Sequence, residues 1–221
     1  MSVFEALLVS LRLGVSTVGI LLVCGIPVAY YLAYSSHRFK PLWEIVVTIP
    51  IVLPPTVIGF YWLYVFGRAS ALGIWLHNTL SVDLVFSFAG VALGSSLYCL
   101  PFMVQPLKAG FEAVSKELLD SAVLEGASSL QILWYIMLPL ARKHLLAGCT
   151  LVFVHALGEF GVVMMIGGNI DGETRTLSIA LYDAVQALEF QYAHTIALLL
   201  VVLVIVCLVP MFWYFRERYE K

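Results

Sequence analysis

The sequence predicts an all-helical, polytopic membrane protein. Only 12% of its 221 residues are charged and 62% are hydrophobic, with a mean hydropathy of +0.97. A soluble domain carries about twice that share of charge. Several apolar runs also reach the roughly 20 residues that a helix needs to cross a hydrocarbon core.

The first run, residues 6–34, is broken only by Arg12. It is longer than a secretory signal and is preceded by Glu5 instead of a basic residue, so a retained span is expected. Residues 45–67 and 84–107 carry no charge, 144–170 carry Glu159 alone, and 190–215 contain only His194. These runs predict five transmembrane helices. The segment 176–189, with Asp183, is too short to cross comfortably at about 1.5 Å per residue. It reads as a re-entrant or periplasmic helix; counted as a crossing, it would make six. Irregular backbone at that depth must be shielded by protein or line a wet cavity.

Basic residues set the orientation. Arg38, Lys40, Lys108, Lys116, Arg142, Lys143, Arg216, Arg218 and Lys221 fall on one side, leaving Arg12, Arg68 and Arg175 for the other. The richer side is expected to be cytoplasmic. The N-terminus then lies outside, the C-terminus inside, and the whole chain, 1–221, forms one transmembrane domain with a cytoplasmic loop at 107–143. Cys24, Cys99, Cys149 and Cys207 sit far apart within apolar runs, so neither a disulfide framework nor a metal site is expected. A net charge of −2 says little about partners, and nucleic acid is not expected among them.

Three places depart from plain apolar helix. Pro50, Pro54 and Pro55 fall within six positions of the second run, where each removes a helical donor, so this span should be kinked or broken. Such breaks near mid-membrane mark a gate or binding region in transporters, which makes Pro54, Pro55, Thr56 and Gly59 pathway candidates. In the fourth run, Gly158, Glu159, Phe160 and Gly161 are the second group of candidates. An ionisable group inside a span is costly and points to function. Glu159 either lines a path or fixes a helix break by accepting backbone hydrogen bonds, and His155, four residues earlier, could pair with it. The third place, residues 167–178, is a Gly- and Asn-containing turn with Asn169, Thr174, Arg175 and Thr176. Thr174 or Thr176 is a candidate cap for the short helix that follows. Arg175 could attract an anion or contact a docking protein, or simply be a solvated loop arginine.

The cytoplasmic loop carries the most specific pattern. Asp120, Ser121 and Ala122 are followed by Gly126, and after nine more residues by Ile136, Leu138 and Pro139. A short helix carrying Ala122 and Ala127 would let another backbone approach closely, Gly126 permits a bend, and Pro139 interrupts the ladder where the chain turns back into the membrane.

This loop resembles the coupling loop of ABC importer permeases. Ile51 to Gly59, Leu157-Gly158-Glu159-Phe160-Gly161 and Gly168 to Thr176 resemble the molybdate, tungstate and sulfate branch of that family. The loop departs mildly, with Asp120-Ser121 where the family often has Glu-Ala, and Val162-Val163 replace the family's usual Ala-Thr. The resemblance implies a type I ABC importer transmembrane domain in a bacterial or archaeal cytoplasmic membrane. It implies a homodimer, two ATP-binding subunits, and a periplasmic or lipid-anchored oxyanion-binding protein, moving molybdate or, alternatively, tungstate or sulfate. ATP and magnesium would sit on the partner ATPase, with no cofactor on this chain, and the chain has no Gly-x-x-x-x-Gly-Lys-Ser/Thr loop.

Two other classes compete on the residues alone. An ion-coupled secondary transporter could use Glu159 as a proton site, but no clear internal repeat is present. An intramembrane hydrolase could use Ser95 or Ser96 with His155, but no third orienting residue is evident.

Overall fold

The computed structural model describes residues 3–216, with side chains through position 214; Arg218 and Lys221, used above for orientation, lie outside the described residues. Every regular element among the described residues is helical. Helix α1 spans Val3–Tyr34, α2 Lys40–Val52, α3 Pro55–Phe66, α4 Ala71–Leu80 and α5 Phe88–Glu112. The segment between α5 and α9 holds α6 (Lys116–Leu124), α7 (Ser129–Ile132), a π-helical turn (Leu133–Met137) and α8 (Leu138–Leu140). Then come α9 (Arg142–Gly158), α10 (Gly161–Gly167), α11 (Leu177–Gln186) and α12 (Phe190–Arg216).

Helices α1, α5 and α12 are each long and apolar enough to cross a membrane. The uncharged run 45–67 is not one straight span: α2 and α3 meet at a 111° bend. Prolines 54 and 55 cannot donate to the carbonyls of Pro50 and Ile51, so the ladder stops with Leu53 N–H on Ile49 O and restarts with Val57 N–H on Pro54 O. The pair nevertheless runs between opposite ends of α5. Glu44 of α2 pairs with Lys108 near the α5 C-terminus at 2.9 Å, while Trp62 Nε1 of α3 donates to Leu84 O just before α5 begins, at 2.7 Å. The fourth run is likewise divided, into α9 and α10. Helix α11, ten residues and about 15 Å long, covers half of a hydrocarbon core. Helix α4 lies between the second and third runs, where no apolar run marks a helix. Ser70 caps it by accepting from Gly73 N–H.

Packing centres on α1, α5 and α9. Small residues set the spacing: a Cβ on Gly25 would meet Met103 Cγ at 3.0 Å, and one on Gly148 would meet Met103 Sδ at 3.1 Å. One core cluster joins Ile26, Leu32, Val47, Leu107, Phe111 and Met137 near one end. A second joins Leu13, Ile58, Val91, Val162, Ile166 and Ile179 near the other. Arg12, stacked 3.9 Å over the Phe88 ring, lies at this second end. So does Arg68, which donates twice to Asp83 and holds that carboxyl below its usual range. Arg175 is there too, and the described loop lysines and arginines of the richer set lie at the first end. Helix α12 leaves Leu198, Val201, Val202, Ile205, Val206 and Val209 exposed, an apolar surface suited to lipid.

Candidate functional site

The two helix breaks that the sequence marks separately meet in space. A Cβ on Gly59 of α3 would sit 2.5 Å from Met165 Cβ of α10, and a Cβ on Gly161 would sit 2.8 Å from Pro55 Cβ and 3.5 Å from the Thr56 amide. Helices α3 and α10 therefore touch backbone to backbone, which only residues without side chains allow. Thr56 is exposed at the start of α3, beside this crossing.

Glu159 sits at the break before α10 and is buried. Its backbone is extended, and its Oε1 accepts from Val162 N–H at 2.9 Å, the bond of a capping side chain at a helix N-terminus. The expected pairing with His155 does not form, because α9 ends at Gly158 and Glu159 leaves the helical face. His155 is instead stacked by Phe102 and Tyr98, with ring centroids at 4.3 and 5.2 Å, and its Nε2 is buried without a hydrogen-bond partner. Ser96 Oγ donates to Ala92 O and Ser95 Oγ has no partner, so neither serine is bonded to His155. Phe102, Leu151, Val154, His155, Gly158 and Glu159 line a cleft of about 250 Å³. Replacing Glu159 by Ala should remove the cap and cost about 1–2 kcal/mol, whereas Gln keeps an acceptor oxygen. Thermal unfolding in detergent should show a lower Tm for Glu159→Ala than for Glu159→Gln; equal values would contradict the capping role.

The loop between α5 and α9 is fixed by caps. Ser115 caps α6 by accepting from Leu118 N–H. At its other end Gly126 takes φ +86°, with Gly126 N–H on Val123 O and Ala127 N–H on Ala122 O, the paired bonds of a left-handed helix stop. Ala127 thus lies beyond the helix and not on it. Ala122 is buried against the first core cluster, because its position in the 3.6-residue period faces the bundle. The surface presented outward carries Asp120, Ser121, Val123 and Leu124, the last 88% exposed. Ser128 and Gln131 form a reciprocal capping box at α7. The ladder then widens, Leu138 N–H reaching back five residues to Leu133 O ahead of Pro139, which has no N–H to give. The chain does not turn at Pro139 itself: it turns two residues later, at Ala141, by 78° into α9. Ile136 and Leu138 pack inward while Tyr135 stays 78% exposed.

The loop between α10 and α11 is tied internally. Arg175 is not a solvated arginine, since it pairs with Asp171 at 3.0 Å and Asp183 at 2.9 Å, and Asn169 Nδ2 donates to the same Asp183 carboxylate at 2.8 Å. Thr174 Oγ1 donates to Gly167 O and accepts from Ile170 N–H, locking the turn. Thr176 holds the capping position of α11 but makes no capping bond; Ser10 of α1 accepts from Leu177 N–H at 2.8 Å in its place. No sequence signal reveals that cap, 167 residues away. Asp183→Ala should release Asn169 and leave Arg175 paired with Asp171 alone. With charge-assisted bonds contributing about 1.5–3 kcal/mol, amide exchange across 168–176 should quicken by about tenfold or more. Unchanged protection would show that the ion pairs do not order this turn.

The chain matches known proteins over nearly its whole length. Residues 25–216 match the family described as binding-protein-dependent transport system inner membrane component. The molybdenum transport system permease protein ModB of Azotobacter vinelandii is 41% identical over 192 residues, covering 87% of this chain and 85% of its own. ModB of Haemophilus influenzae is 33% identical over 219 residues, covering 98% and 95%. The inward-facing MetNI methionine ABC transporter superposes with a TM-score of 0.69 at 16% identity, over 97% of this chain and 93% of that one. That likeness is one of fold.

Proposed function

Because the chain belongs to the family of binding-protein-dependent transport system inner membrane components, we propose that it is the permease subunit of an ABC importer for molybdate. Two copies form the membrane pore, two ATP-binding subunits dock on the cytoplasmic face, and an oxyanion-binding protein delivers cargo outside. ATP and magnesium sit on the ATPase, and this chain holds no cofactor. The chain crosses five times, with α2–α3 and α9–α10 as broken spans and α11 as a short outer helix, N-terminus outside and C-terminus in the cytoplasm.

The observation that carries this reading is the loop between α5 and α9. Its capped helix α6 anchors Ala122 and Leu119 in the bundle and presents exposed Val123 and Leu124 outward. Apolar side chains held out on a capped, polar-flanked loop suit docking to a soluble subunit. ATP binding closes the ATPase pair, and the loop carries that motion to the membrane helices as rigid-body rocking. The α3–α10 crossing joins the two broken spans, so motion at either break moves both.

Uptake of labelled molybdate into vesicles holding the full complex tests the reading. It should require ATP and the binding protein and should survive collapse of the proton gradient. Uptake that follows the proton gradient at constant ATP would favour a secondary transporter instead.

A further inference from the structure

The two sides of the bundle differ in polarity. On α12, residues 196–213 include no charged, amide, hydroxyl or imidazole side chain, as a lipid-facing helix requires. The side formed by α5 and α9 carries polar groups. Gln105 is exposed, one turn along α5 from Phe102, and donates a single bond to Thr48 Oγ1 of α2 at 3.2 Å. The cleft that Phe102 lines holds His155, its Nε2 buried without a partner, and Gly158 exposed at the cleft edge. Polar groups within spans face protein or water, not lipid.

We propose that this α5–α9 face lines the oxyanion's path, with Gln105 Nε2 and, once the cleft opens during transport, the buried His155 Nε2 donating hydrogen bonds to the anion and the matching face of a second copy completing the site. The inference rests on the importer reading above and adds the groups that contact the cargo. An imidazole donates from its protonated ring nitrogen and an amide from its NH2 group, the chemistry that a tetrahedral oxyanion accepts. The one carboxylate in the cleft, Glu159, already has an oxygen committed to the α10 amide, and the helix N-terminus offsets its charge. Its residual repulsion suits a transit site, which must release what it holds. The Tyr98 and Phe102 rings fix the imidazole plane from neighbouring turns of α5.

The test compares His155→Phe with His155→Gln in the intact complex with its ATPase and binding protein, measuring molybdate uptake and complex recovery. Phenylalanine keeps the ring packing and removes the donor; glutamine keeps a donor. The expected result is an about tenfold loss of uptake for Phe, the size of one lost hydrogen bond, with Gln within about threefold of wild type. Wild-type uptake by His155→Phe, or equal loss in both variants with complex recovered, overturns the proposal. Should His155→Phe fail to assemble, Gln105→Leu decides: reduced uptake supports the site and unchanged uptake overturns it. A wild-type complex that moves no oxyanion would overturn the importer reading itself, and this site with it.

Discussion

Gly126→Val is expected to leave the chain inserted in the membrane but to abolish copurification of the ATPase. A Cβ at this position meets nothing within 4 Å, so no clash inside the chain is involved. The penalty comes from the backbone: φ is +86°, a region that a β-branched residue rarely enters, at a cost of roughly 1–2 kcal/mol. Relieving that strain breaks the bonds from Gly126 to Val123 and from Ala127 to Ala122 that end α6. Val123 and Leu124 then lose the orientation in which they are presented. Asn tolerates the left-handed region better, so Gly126→Asn should retain the complex. Intact complex recovered from Gly126→Val would show that the helix stop is not what positions the docking surface.

The second large effect is expected at the crossing of the broken spans. The atoms that a new Cβ would meet are Met165 Cβ for Gly59 and Pro55 Cβ for Gly161. Neither is the free end of a flexible side chain, so accommodation requires the helices themselves to separate. Overpacking of this kind costs typically about 1–3 kcal/mol. Gly59→Val and Gly161→Val should each lower the Tm of the complex and reduce molybdate uptake by about tenfold or more. Because both substitutions push on one crossing, the double variant should lose less than the sum of the two. Full additivity, or an unchanged Tm in either single variant, would mean that α3 and α10 do not pack backbone to backbone.

What could be read from the chain divides along a physical line. Features set by local covalent chemistry were legible: Pro54 and Pro55 have no N–H to donate, and the backbone breaks there; Gly126 permits a bend, and the loop helix ends there; segment 176–189 holds a helix of only ten residues. Features set by tertiary placement were not. The His155–Glu159 pairing assumed that both residues share one helix, but the helix ends between them. The cap of α11 comes from Ser10, at the far end of the sequence, and so neither Thr174 nor Thr176 supplies it. Arg175 looked like a loop cation because its partners, Asp171 and Asp183, straddle a turn whose path only the fold defines. The small side chain of Ala122 invites close approach by another backbone, but the direction that the loop helix faces, here toward the bundle, is set by the fold. The contact of Gly59 with α10 and of Gly161 with α3 joins residues about a hundred positions apart, and nothing local announces it.

The most direct measurement of the central claim is ATP hydrolysis by this chain reconstituted in liposomes with its ATPase and oxyanion-binding protein, with molybdate, tungstate or sulfate added in turn. The importer reading predicts that hydrolysis rises when molybdate is supplied with the binding protein, and that it does not rise with molybdate alone. Stimulation by sulfate or tungstate in place of molybdate would correct the cargo, and a complex that forms but responds to none of the three would contradict the oxyanion assignment.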